Sequence, residues 1–141
     1  MAASGARHEL RVVRAAALRA GEELGGHYVQ GHVDARGKFL GAEAHGGSWT
    51  GRIAYPPEIA RYLVFKGSVA VEGISLTIAE LTDDHFAIAI IPKTWDVTNF
   101  SHLQAGDAVN LEADVIAKYV ERILSLRPLW DPNQQRVLKN G

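Results

Sequence analysis

The stretch KGSVAVEGISLTIAEL, Lys66–Leu81, constrains the fold more than any other part of the chain. Its apolar residues recur at every second position, the period of a strand with one buried face. Val69 and Val71 share one face, and Glu72-Gly73 marks a turn or bulge. Ile74, Leu76 and Ile78 then share the core face, which leaves Ser75 and Thr77 together on the opposite one. The same period returns in SWTGRIAY, in FAIAII after a TDDH turn, and in AVNLEAD, where Val109, Leu111 and Ala113 oppose Asn110, Glu112 and Asp114. At least five short strands of this kind, joined by turns and small helices, predict an antiparallel closed barrel.

Upstream, LGGHYVQGHVD reads as a further strand. Val29, Gly31 and Val33 fall on one face and Tyr28, Gln30, His32 and Asp34 on the other. ARGK then reads as a turn, and FLGAEAHGG is ambiguous. PPEIARYLV predicts a short helix with Pro57 in its first turn. PKTWDVTNFSHLQAGD is a connector with one helical turn, in which Trp95 is a packing residue. DVIAKYVERILSL predicts an amphipathic helix whose stripe, Ile116, Tyr119, Val120, Ile123 and Leu124, faces either the core or another subunit. Glu9–Leu24 reads as helix by propensity, although its first part also fits a strand. The chain thus divides into a lead-in over 1–24, a barrel over 25–114, a helix over 115–127 and a polar tail over 128–141 that carries Trp130.

A length of 141 residues with 47% hydrophobic content suits one domain with one core. The net charge of −1 gives no electrostatic footprint for nucleic acid or an anionic membrane. The absence of cysteine excludes disulfides, thiolate chemistry and cysteine-ligated metal, and fits a cytoplasmic protein. No apolar run reaches the length of a membrane span, and MAASGARHEL lacks the apolar segment of a signal peptide.

A small barrel fills its interior with its own side chains. A ligand must therefore sit on the outer wall or at a rim, where another subunit can close the site. Four polar features point away from the predicted core: His32, Lys66 at a strand start, the Ser75/Thr77 pair and Asp114 at a strand end. They suit a neutral, polyhydroxylated ligand with a polar ring better than a phosphate, and neither GxGxxG nor GxxxxGK[ST] is present. His27 and His32, an odd number of residues apart on one strand, face opposite ways and do not share a metal. His27 is then structural. Lys66 also fits a solvated edge charge. Asp114 can cap the final helix as well as bind ligand.

Taken in order, RAAALRAGEELGGH, LGGHYVQGHVDARG, YLVFKGSVAVEGISLTIAEL, IPKTWDVTNF and AGDAVNLEADVIAKYVERIL resemble the C-terminal barrel of riboflavin synthase. The resemblance runs from about Arg11 to Leu124. It implies an all-β fold with short helices: a six-stranded antiparallel Greek-key barrel followed by a C-terminal α-helix. It implies binding of 6,7-dimethyl-8-ribityllumazine, riboflavin or a flavin nucleotide. The implied reaction moves a four-carbon unit from one lumazine to another and yields riboflavin, with no metal or redox cofactor.

By motif, His32 matches the family's active-site histidine and Gly31 the glycine before it. Lys66 matches the lysine of KGS. Ser75 and Thr77 match the SLT pair that faces the lumazine. Ile91 and Thr94 match the IPxT segment, and Asp114 matches a carboxylate near the ribityl hydroxyls. The resemblance implies that His32 removes a proton from the lumazine 7-methyl group, with Ser75, Thr77 and Lys66 in the catalytic set. The family's first barrel has no counterpart here, and the reaction needs two ligands in contact. Several readings follow: an enzyme that completes its site as a homodimer or trimer, a non-catalytic lumazine or flavin carrier, an incomplete half whose second barrel comes from another chain or has been removed, or an enzyme repurposed for another flavin-like substrate.

Overall fold

The computed structural model describes residues 21–126. The helix expected over Glu9–Leu24 lies outside the described residues up to Ala20, and Gly21–Leu24 carries no helix. The tail with Trp130 lies wholly outside them.

Six strands close a barrel in the order β1-β2-β5-β4-β3-β6. They are β1 (Ala35–His45), β2 (Ser48–Ala54), β3 (Ser68–Val71), β4 (Ile74–Leu81), β5 (His85–Ile90) and β6 (Ala108–Ala113). All neighbours are antiparallel. β2 passes over its chain successor to pair with β5, and β6 sits between β1 and β3, which is a Greek-key order. Glu72 and Gly73, at φ 52° and 77°, form the tight β3–β4 hairpin, whose primed turn matches the strand twist.

Two expectations need correction. Tyr28–Asp34 is not a strand, and ARGK is not a turn but the start of β1. Arg36, Gly37 and Lys38 pair with Asn110, Val109 and Ala108 of β6, a long-range ladder that overrides the local composition. Glycine is required at position 37, where a Cβ would lie 2.7 Å from the Ala54 carbonyl oxygen and 2.8 Å from Leu111 Cδ1. A bulge between Phe39 and Gly41 breaks the alternation of β1, which is why FLGAEAHGG showed no clear period.

The barrel interior is full. Phe39, Ile53, Val69, Val71, Ile78, Phe86, Ile88 and Leu111 are buried there. Ser75 and Thr77 point outward between inward-facing Leu76 and Ile78, as the alternation predicts. Short helical pieces cover the ends: a 3-10 turn at Pro57–Tyr62, α1 (Pro92–Val97) and a second 3-10 turn at Asn99–His102. The last element is α2 (Val115–Ser125). Its apolar stripe is not core: Ile116, Tyr119 and Ile123 are each about two-thirds exposed. Among the described residues no helix is long and apolar enough to cross a membrane.

Candidate functional site

The outward face of β4 forms the floor of a cavity. Ser68 of β3 stands opposite Thr77 in the ladder. On the other side, β5 runs through Ile91 into α1, whose Pro92 starts the helix without needing an N–H partner. Trp95 of α1 stacks on Trp49 of β2, with ring centroids 4.1 Å apart and planes 7° from parallel. This contact holds α1 against β2, and backbone bonds from Trp95 and Thr98 back to Ile91 and Thr94 close the helix itself. Trp95 is a packing residue, as expected.

The remaining wall is the segment Gly25–Asp34. It has no strand ladder and is strapped to the barrel mainly by side chains, with one backbone bond from the Asp34 N–H to the Leu111 carbonyl at 2.8 Å. Ser75 Oγ accepts from the His27 backbone N–H at 3.1 Å and lies 2.7 Å from His27 Nδ1. The two carboxylate oxygens of Glu112 accept from the Gln30 and Gly31 N–H groups at 2.7 and 2.9 Å. Asp34 accepts from the Ala113 N–H at 2.8 Å and pairs with Lys118 Nζ at 2.7 Å. Strap and barrel enclose a cavity of about 450 Å³ bordered by Gly26, His27, Ser75, Thr77, Ile91 and Thr94.

Hydroxyls, one imidazole and an exposed Ile91 side chain meet there, and among the described residues no carboxylate or ammonium lines it. Such a site suits an uncharged heterocycle with a polar edge and an apolar face. At the β4–β5 turn, two groups have their titration shifted. Hydrogen bonds from His85 and Thr82 hold the Asp84 carboxyl below its ordinary value. Burial and the nearby Asp83 and Asp84 raise the Tyr55 phenol.

Ser75, Thr77, Ile91 and Thr94 therefore come together, and the other expected site residues do not line this cavity. His32 is exposed. Gly31 belongs to the strap, where φ 76° aims its amide at Glu112. Lys66 has φ 64°, and its Nζ lies 5.5 Å from the Phe65 ring centroid. Asp114 caps α2, accepting from the Ile116 N–H at 3.0 Å. It also borders a second, more apolar groove of about 380 Å³ with Tyr62, Val64 and Val120. Ser68 borders both cavities.

Two residues of the site escaped sequence reasoning. Strand parity turns His27 away from His32 and makes it structural, but that rule holds only within a strand, and His27 instead meets Ser75. Glu112 occupies an outward position of β6, which reads as a solvated charge, yet it is only 5% exposed.

Residues 30–114 match the lumazine-binding domain family. The chain belongs to that family. This lumazine-binding barrel is 49% identical over 115 residues to the riboflavin synthase of Mycobacterium tuberculosis, covering 79% of this chain and 56% of that protein. It is 39% identical over 117 residues to the riboflavin synthase of Actinobacillus pleuropneumoniae, covering 82% and 54%. It thus spans about half the length of the curated relatives it matches. The same fold occurs in the crystal structure of LumP complexed with riboflavin, at TM-score 0.61 and 22% identity over 66% of this chain and 50% of that one.

The closeness of strap and barrel yields a prediction. A Cβ at Gly26 would lie 2.6 Å from Ser75 Oγ and 2.8 Å from Ser75 Cβ. Gly26→Ala is therefore expected to lift the strap from β4 while the barrel's melting temperature stays nearly unchanged. Hydrogen exchange of residues 25–31 should accelerate. Exchange as slow as in the parent protein would show that the contact yields without opening.

Proposed function

We propose that this barrel binds 6,7-dimethyl-8-ribityllumazine or riboflavin in the cavity between strap and β4, and takes part in four-carbon transfer between two lumazines. The supporting observation is the convergence of Ser75, Thr77, Ile91 and Thr94 on one external cavity. In this reading the Ser75, Thr77 and Thr94 hydroxyls meet the polar edge of the ring system, and Ile91 covers its apolar face. Ser68 joins the cavity to the groove of Asp114, so a ribityl chain laid over Ser68 reaches that carboxylate. His32 and Lys66 enter the reading through the family motif, His32 as the base.

In this reading the cavity holds one ligand, and the transfer needs two ligands face to face. The second body is a further copy of this chain or a second barrel that lies outside this sequence. Holding two rings in register is chiefly an orientation effect. The exposed stripe of α2 is the surface offered for a dimer or trimer. A non-catalytic carrier is the second reading, favoured by the fold shared with LumP. LumP, the structural neighbour, has been solved with the lumazine, with riboflavin and with flavin mononucleotide.

Incubation with dimethylribityllumazine, followed by absorbance, separates the two. Riboflavin is expected to form faster than the uncatalysed background, from particles heavier than one chain by mass measurement in solution. Tight binding without conversion supports the carrier. Binding of neither lumazine nor riboflavin overturns both readings.

A further inference from the structure

The contact between His27 and Ser75 sets what kind of ligand atom this cavity selects. A serine hydroxyl has one proton to give and two lone pairs to receive with. Ser75 Oγ already accepts from the His27 backbone N–H, which uses one lone pair. His27 Nδ1, 2.7 Å away, either gives its own proton to the second lone pair or takes the serine's proton.

The other ring nitrogen decides between these arrangements. His27 Nε2 is buried and has no hydrogen-bond partner among the described residues. If the ring proton were on Nε2, a buried N–H would be orphaned, and orphaned N–H groups are rarer than under-used acceptors. The ring proton therefore belongs on Nδ1, where it is donated to Ser75. Both Ser75 lone pairs are then filled, and its own proton remains free for the cavity.

We infer that His27 is a positioning residue that makes Ser75 a donor-only hydroxyl, so that the site selects a ligand presenting a carbonyl oxygen or an unprotonated ring nitrogen at that point. This rests on the reading of the cavity as a lumazine or flavin site. It gives His27 a function that neither the strand parity nor the motif suggested, and it requires no proton transfer.

The test combines a measurement on the unaltered protein with riboflavin titrations followed by fluorescence quenching. Nitrogen-15 shifts of the free protein should show the His27 proton on Nδ1, and a proton found on Nε2 overturns the inference. Ser75→Ala is expected to weaken riboflavin binding about tenfold. His27→Ala and His27→Gln should cost about as much, since neither places a donor at the Nδ1 position. His27→Asn, whose amide nitrogen can stand where Nδ1 stood, should stay within about threefold of the parent. In the Ser75→Ala background, His27→Ala should add nothing, because the two residues act as one unit. Additive losses, or Gln rescuing as well as Asn, overturn the inference while leaving the ligand assignment intact. If the unaltered protein binds neither ligand, the ligand assignment fails and the selection inferred from it falls too, whatever the ring tautomer.

Discussion

Glu112→Ala is expected to free the strap while the barrel stays closed. The Glu112 carboxylate takes two successive backbone N–H groups, from Gln30 and Gly31, and is almost fully buried in doing so. Hydrogen bonds to an ionised acceptor contribute about 1.5–3 kcal/mol each. Their combined loss outweighs what the bonds at His27 and Asp34 can hold alone, because those bonds anchor the ends of the strap and not its middle. The strap can escape its orphaned amides by moving into solvent, so the damage stays local. Amide exchange over residues 25–34 should accelerate by at least tenfold, and riboflavin binding should weaken by a similar factor as one cavity wall departs. Glu112→Gln keeps one acceptor oxygen and should fall between the two. Exchange unchanged in Glu112→Ala would mean that the clamp is dispensable.

The second large effect is global. Phe39→Ala is expected to remove about 3–5 kcal/mol of folding stability, the usual cost of deleting a buried aromatic ring. Phe39 is 2% exposed. It pairs with Ile53, and its ring covers Gly51 of β2, where a Cβ would lie 3.6 Å from Phe39 Cε2. Alanine there leaves a void bordered by a residue with no side chain to fill it. A small domain has only about 5–15 kcal/mol in total, so the loss is a large share. Denaturant unfolding should show a lowered midpoint with an unchanged slope. A cost near 1 kcal/mol would mean that the neighbours collapse into the gap.

The parts of the fold legible in the sequence are those whose burial is one-sided and local. β4 announces itself through Ile74, Leu76 and Ile78, and with it the outward Ser75 and Thr77. β6 and α2 are legible for the same reason. β1 is not, because Gly37 answers to close packing against Ala54 and Leu111, and a bulge shifts the pattern beyond Phe39. The histidine segment misleads in the opposite sense. Its alternation imitates a strand, but in place of a backbone ladder it is held by the Glu112 carboxylate, the Ser75 hydroxyl, its own Asp34 carboxylate on the Ala113 amide and a single backbone bond from Asp34 to Leu111. Glu112 lies 81 and 82 residues from the amides it binds, so no local pattern marks it. Half of the site was therefore readable, namely the half built on a regular strand and the turn after β5.

The closed ring of strands has a consequence for assembly. Every described strand already has two neighbours, so the described backbone offers no full-length edge to which another sheet can be added. Union of these barrels with a second body is then written chiefly in side chains. It can then be strengthened or abolished by substitutions that never touch the hydrogen-bonded cage.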